Sequence, residues 1–223
     1  MKLTKVHKKL HKVGQGEKAI KGTTHRKYVG GVGKKNNWEF IGLLQFAHLV
    51  KMGLRPNHTF VDVACGSLRA GLHFIPYLDK GNYLGIEKEI TLVDAGIEHE
   101  IGHKVNGEKS PEFVISSDFE FEKFSKKADF GIAQSLFTHL PYSMVDDCLK
   151  KLFPHMNSGG KFYGTYFISK KVIDNPDKPH DRLGYWFTKE QAIEVGTKNG
   201  WKVNFIGEWG HPRGQQIVEY IKE

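Results

Sequence analysis

Three histidines stand in polar stretches that read as loops: His139 in SLFTHLP, His180 in DNPDKPHDR and His211 in EWGHPRGQ. An imidazole is the side chain best suited to taking a proton near neutral pH, so each is a candidate base for activating a hydroxyl. Asp181, beside His180, is another. His211 shares its stretch with Trp209 and Arg213. A turn that only reversed the chain would not need an indole, an imidazole and a guanidinium together, and a guanidinium suits a carboxylate or phosphate. His180, Trp209 and Arg213 are therefore candidate substrate contacts. Plainer roles compete: Trp209 and Pro212 can pack a rim, Arg213 can pair with a surface acid, and His139 can pack at the start of a helix.

A second set of residues is suited to holding a ligand. FVDVACGSLRAG, residues 60–71, passes from an apolar run through small residues into a helical pattern. A dinucleotide fingerprint would need glycine at positions 64, 66 and 69, where this chain has Ala64, Gly66 and Arg69. Arg69 is the decisive departure, because the third glycine lets the helix pack closely on the sheet. The G-K-[ST] ending of a Walker A loop is absent too. A ligand without a pyrophosphate demands less: a tight turn of small residues, one glycine approached by the ligand, and an acid near the strand end. Asp62, Ala64, Cys65, Gly66 and Ser67 meet that demand, with Ala64 in a conformation alanine tolerates and Leu68 already in helical geometry. Further acids follow the next two apolar runs, Glu87 before Lys88 in YLGIEKE and Asp118 before Phe119 in SSDFEF. Glu87 can alternatively cap a helix and Asp118 can shape a turn.

These residues need a scaffold that brings strand ends together. Strands are expected at Thr59–Val63, Asn82–Ile86, Glu112–Ile115, Ala128–Ala133 and Lys161–Ile168. Helices are expected between them at Arg69–Tyr77, Thr91–Lys104 and Tyr142–Phe153, with only a short turn after Ser117. Upstream, WEFIGLLQFAHLVKMG has helical spacing and stops at Gly53. Such alternation predicts an α/β fold, a mainly parallel sheet covered by helices on both faces. After a helix at about Thr188–Lys198, strands Trp201–Gly207 and Gln215–Ile221 are separated only by EWGHPRG. That connection is too short for a parallel crossover and implies an antiparallel hairpin. If the first hairpin strand runs with the others, its turn lies on the ligand edge of the sheet, which favours His211 over His139 and Asp181 as the base.

DVACGSLRAG resembles motif I of class I S-adenosylmethionine-dependent methyltransferases, commonly D-x-G-x-G-[ST]-G-x-x-[AG], with Ala64 and Leu68 where glycines are usual. YLGIEKE resembles the second motif, SSDFEF matches the acidic third position, and NSGGKFYGTYF resembles the glycine turn and fifth strand. The resemblance covers about residues 37–223. It implies a three-layer Rossmann-like fold, a seven-stranded, mostly parallel sheet with an antiparallel last strand, and S-adenosylmethionine as cofactor. It further implies cofactor contacts at Asp62, Ala64, Cys65, Gly66 and Ser67, at Glu87 and Lys88 toward the ribose, at Asp118 and Phe119 toward the adenine, and at Gln134. The [DNS]-P-P-[YFW] signature of base N-methylation is missing: Gln134, Ser135, Leu136 and Phe137 stand there. The chain looks like bacterial methyltransferases of glycan or secondary-metabolite pathways, which points to O-methylation of a small molecule or sugar.

Residues 1–35 hold eleven Lys or Arg against the single acid Glu17, a charge of +10; taken from the total of +8, this leaves −2 for the rest. The basic excess belongs to an N-terminal arm, and residues 36–223 form one domain. Such an arm suits nucleic acid, anionic lipid or a phosphorylated substrate, or is simply solvated. An RNA methyltransferase and a catalytically silent cofactor-binding module are the rival readings. Cys65 and Cys148 are too few for a disulfide scaffold and too far apart for a zinc site, Cys65 reads as a small buried residue, and no metal is expected. No apolar run reaches the ~20 residues of a membrane span and no secretory h-region follows the first lysines, so the cytoplasm is the expected compartment.

Overall fold

The computed structural model describes His25, Arg26 and residues 37–223; the remainder of the expected basic arm lies outside the described residues. The sheet is built from β1 (Phe60–Val63), β2 (Tyr83–Glu87), β3 (Glu112–Ile115), β4 (Ala128–Ala133), β5 (Met156–Ile168), β7 (Lys202–Glu208) and β8 (Gln216–Ile221). Their order is β3-β2-β1-β4-β5-β8-β7, and the two-residue β6 (Trp186–Phe187) pairs with β5 off this path. β1 through β5 pair in parallel, while β8 is antiparallel to both β5 and β7. β7 thus runs with the parallel strands, as the short connection required, and the β7–β8 turn opens on the carboxyl edge.

Alternation along the strands divides the core into two layers. Phe60, Ile132 and Tyr163 face one side with Leu49 of α1 (Asn37–Lys51), Phe74 of α2 (Gly71–Tyr77) and Val93 of α3 (Ile90–Gly96). Val61, Val63, Ala133 and Phe162 face the other with Leu149 of α5 (Tyr142–Leu152) and Val195 of α6 (Lys189–Thr197). Chain order runs outward from β1 to β3 and then back across to β4, so the order reverses between β1 and β4. That is where an open α/β sheet leaves a ligand crevice.

Local differences from the sequence reading have physical causes. The single helix expected over Thr91–Lys104 is three pieces: α3, a π-helical turn at Ile97–Ile101, and α4 (Gly102–Lys109). Gly96 packs so closely on the bend after β1 that a Cβ there would lie 2.8 Å from the Ser67 carbonyl carbon, and Gly102 takes φ +77°. β5 begins at Met156 rather than Lys161, because residues 156–160 pair onward to β4 and to the chain end through Gly159 N–Lys222 O (2.6 Å). The short turn after Ser117 contains a 3-10 turn at Phe121–Lys123. Ala64 and Leu68 also depart from expectation: both have φ 60°, so Ala64 is left-handed and Leu68 is not yet helical.

Candidate active site

Every second residue of the bend after β1 is left-handed: Ala64 (60°), Gly66 (56°) and Leu68 (60°). The amides of the bend divide: Ala64 N and Cys65 N donate to Ile86 O at 2.8 and 3.1 Å, and Gly66 N donates to a carboxylate. Glu87, at the end of β2, accepts from Gly66 N (2.9 Å), Lys88 N (3.0 Å) and Glu89 N (3.2 Å). The helix cap is its neighbour Glu89, which accepts from Thr91 N at 3.2 Å. A carboxylate offers about four lone-pair positions, so Glu87 keeps one direction for a hydroxyl donor. Burial raises its pKa, and the three amides and Lys88 oppose the shift.

Asp62, one strand inward and buried, accepts from the Tyr83 hydroxyl at 2.7 Å. Burial lifts its pKa to about 7 against the lowering effects of Tyr83 and Arg69. Cys65 is buried and its thiol pKa is pushed well up, in keeping with a packing residue. Two buried polar atoms at the bend, Ser67 Oγ and Arg69 Nε, lack a hydrogen-bond partner among the described residues.

The end of β4 carries a buried polar network. Arg69 donates through Nη2 to Gln134 Oε1. An arginine can only donate, so Gln134 turns its amide nitrogen the other way, toward Ser135 Oγ (2.7 Å), His211 Nε2 (3.0 Å) and Gln215 Oε1 (3.3 Å). Thr165 Oγ1 accepts from Ser135 N (2.8 Å) and donates to Gln215 (2.9 Å), fixing Ser135 at φ 59°. His211 is buried, stacked on Trp209 at 5.6 Å, and its Nδ1 faces the Arg213 amide at 3.3 Å. Burial and the charges of Arg69 and Arg213 hold its pKa down at about 4. A neutral imidazole has one lone-pair nitrogen; both ring nitrogens of His211 face donors, so none is left uncommitted. Trp209 is anchored by Nε1 to Gln215 O (2.9 Å), and Arg213 is exposed at the rim.

His139 differs. Its Nδ1 lies 2.9 Å from the Leu183 carbonyl, which only accepts, so Nδ1 carries the proton and Nε2 the lone pair. Burial lowers its pKa, keeping the ring neutral near pH 7. The segment between β5 and β6 folds back over this edge: Tyr185 N bonds Thr138 O (2.8 Å), His180 N bonds His139 O (3.1 Å), and Asp181 pairs with Lys88 Nζ (2.6 Å). His180 Nδ1 receives the Arg182 and Leu183 amides at 3.0 and 3.2 Å, which shapes the loop.

Asp118 is exposed beyond β3, with its carbonyl held by Lys151 Nζ at 2.7 Å. Phe119 turns into the core beside Phe121, centroids 6.2 Å apart, instead of offering an open ring face. The open apolar surface near Glu87 is Ile90, 52% exposed, and Ile115, 40% exposed and in register with Glu87. Sequence reasoning missed Arg69 as a functional residue and missed Tyr83, Thr165 and Gln215 altogether. A charged residue inside an otherwise apolar bend-to-helix stretch was the available signal for Arg69; the others announce themselves only through long-range pairing. Among the described residues no three His, Cys, Asp or Glu side chains cluster as a metal site, and no helix is long and apolar enough to cross a membrane.

No protein-family model matches the chain. Solved structures do. Magnesium protoporphyrin IX methyltransferase (ChlM) from Synechocystis PCC 6803, with bound S-adenosylhomocysteine, superimposes at a TM-score of 0.63 and 14% identity over 87% of this chain and 90% of that one. DesVI of Streptomyces venezuelae gives 0.62 and 13%, covering 88% and 95%. The glycopeptide N-methyltransferase MtfA, complexed with S-adenosylhomocysteine, gives 0.62 and 13%, covering 82% and 90%. With the strand order and the antiparallel β8, these likenesses establish that the chain has the Rossmann-like fold of the class I S-adenosylmethionine-dependent methyltransferases.

Proposed function

We propose that this protein is an S-adenosylmethionine-dependent methyltransferase acting on an oxygen of a small molecule or a sugar or glycan precursor. The observation that carries the reading is the buried Glu87 carboxylate at the end of β2, held by Gly66 N of the left-handed bend and by the Lys88 and Glu89 amides, beside the reversal point of a methyltransferase sheet. The unpartnered Ser67 Oγ fits a polar ligand there. In this reading Glu87 accepts a ribose hydroxyl, the Gly66 backbone lies against the ligand, Ile90 and Ile115 give the adenine an apolar bed, Asp118 meets its amino group, and Asp62 faces the ammonium of the methionyl end. The bound cofactor supplies a methyl on a positively charged sulfur. The protein's own share is to align the acceptor in line with it, exclude water and take the acceptor's proton.

His139 is the base in this reading, in preference to His211, because its Nε2 lone pair is uncommitted by the contact at Nδ1. Asp181 and Lys88 tie the overlying loop to the cofactor edge, and Trp209 and His180 shape the walls. Methyl-release assays over candidate alcohols and sugars test the assignment. His139→Ala is expected to lower turnover by about 10²–10⁴-fold, the range for a positioned base, with S-adenosylhomocysteine affinity unchanged. Because burial holds the His139 pKa below 6.5, activity should persist to lower pH than an ordinary imidazole base allows. A variant with normal turnover would remove His139 from that role.

A further inference from the structure

Arg69 is a cation buried where the described residues give it little to balance its charge. It is 7% exposed and packs its guanidinium 5.9 Å from the Trp38 ring centroid. Its Nη2 hydrogen bond goes to the neutral Gln134, and its Nε is buried without a partner. Among the described residues no carboxylate is hydrogen-bonded to it. Asp62 acts on it only through its charge, and Asp62 already holds the Tyr83 hydroxyl. Isolated charges are strongly disfavoured in a low-dielectric interior unless an opposite charge or good donors and acceptors meet them.

The surroundings sharpen the imbalance. Arg213, on the β7–β8 turn, is linked to Arg69 by one chain of contacts: its amide faces His211 Nδ1 at 3.3 Å, His211 Nε2 lies 3.0 Å from Gln134 Nε2, and Gln134 Oε1 accepts from Arg69; its charge helps depress Arg69 to about 10. Two guanidiniums therefore bear on one crevice, one at its floor and one exposed at its rim, with a neutral glutamine and a neutral histidine between them. Guanidinium edges match carboxylate and phosphate oxygens in a two-point fork. Gln134 orients the buried guanidinium through Nη2, and Nε is left without a partner among the described residues.

We propose that Arg69 and Arg213 form an anion-recognition pair that takes a carboxylate or phosphate of a ligand seated in the β1–β4 crevice. Arg69 points across β4 toward the β7–β8 turn, away from Glu87 and Asp118 on β2 and β3, which favours an acidic group on the methyl acceptor. The carboxylate at the methionyl end of the cofactor is the other source of the same chemistry. This inference shares its site with the function proposed above, but its anion arm does not depend on methyl transfer.

The test uses the full chain as wild type, Arg69→Gln, Arg69→Lys and Arg213→Gln, each checked for folding by circular dichroism. Calorimetric titrations use inorganic phosphate, with and without S-adenosylhomocysteine, and separately S-adenosylhomocysteine and 5′-methylthioadenosine, which lacks the methionyl carboxylate. An acceptor-borne anion predicts saturable phosphate binding that weakens tenfold or more in Arg69→Gln and in Arg213→Gln and is partly kept in Arg69→Lys, with cofactor-product affinity unchanged. A cofactor-borne carboxylate predicts that Arg69→Gln loses tenfold or more for S-adenosylhomocysteine and nothing for 5′-methylthioadenosine. If Arg69→Gln does not fold, phosphate affinity in Arg213→Gln decides. The proposal is overturned if folded variants bind all three probes as wild type does, or if wild type binds phosphate no more than Arg213→Gln. Wild type that takes phosphate but not S-adenosylhomocysteine would overturn the methyltransferase reading and leave the anion pair standing.

Discussion

Ala64 and Leu68 hold the same left-handed φ of 60° but answer to different forces. A non-glycine residue there costs roughly 1–2 kcal/mol, while glycine in its place loses about 0.5–1 kcal/mol through added chain freedom. Ala64 is only partly buried and gives up little packing. Ala64→Gly should therefore be neutral to stabilising by up to about 1 kcal/mol on the same balance, read from urea unfolding. Leu68 is completely buried against Gly71 and Gly96. Truncating a buried leucine removes roughly 2–5 kcal/mol, more than the relieved strain returns, so Leu68→Gly should destabilise. Asp62 gives a pH prediction. Its pKa in the fold is about 7, above the ordinary 3.8, so its favourable contribution is full below the unfolded value and lost as pH rises through 7. Asp62→Asn should gain stability relative to wild type between pH 5 and 8; equal pH profiles would mean that Asp62 titrates normally.

At the scale of elements, the π-helical turn at Ile97–Ile101 brings Glu100 inward, and its carboxylate receives both Nε and Nη2 of Arg26 at 2.7 Å and contacts His25 Nε2 at 2.6 Å. Arg26 and Arg69 lie 5.6 and 5.9 Å from the same Trp38 ring, so this clamp packs beside the crevice. Hydrogen bonds to charged groups contribute roughly 1.5–3 kcal/mol, so Glu100→Gln should lower the melting temperature and speed tryptic cleavage at Arg26. Unaltered cleavage would show that the clamp does not hold the segment. None of this was legible in the sequence. HEIGHK carries no mark of a π turn, and the partner of Glu100 lies 74 residues away. The β7–β8 hairpin was legible, because seven residues cannot form a parallel crossover. The segment between β5 and β6 reads only as a polar loop, since Lys88–Asp181 and Thr138–Tyr185 join residues that share no period.

Across the whole molecule, the sheet gathers Asp62, Glu87, Gln134 and His139 along one carboxyl edge, although the sequence spreads them over 78 positions, from 62 to 139. Their order at successive strand ends could be read beforehand because parallel strands with helical crossovers place every strand end on the same side. Read from the sequence, the hairpin puts His211 first among the bases, but which nitrogen keeps a lone pair depends on carbonyls and amides brought in from Leu183, Gln134 and Arg213, and that reverses the order. Nor could the sequence tell that Ala64 and Leu68 reproduce the backbone of glycines, because Leu68 is packed against Gly71 and Gly96 and Ala64 N is bonded to Ile86 O, and the contacts to Gly96 and Ile86 join distant segments. The central claim is that this edge binds S-adenosylmethionine with Glu87 as an acceptor to its ribose. Calorimetric titration of wild type and Glu87→Ala with S-adenosylhomocysteine tests it most directly. The account predicts one site per chain in wild type and, from the roughly 1.5–3 kcal/mol of a hydrogen bond to a charged group, about a ten- to hundredfold weaker site in the variant. No binding by wild type, or equal affinity in the two proteins, would contradict it.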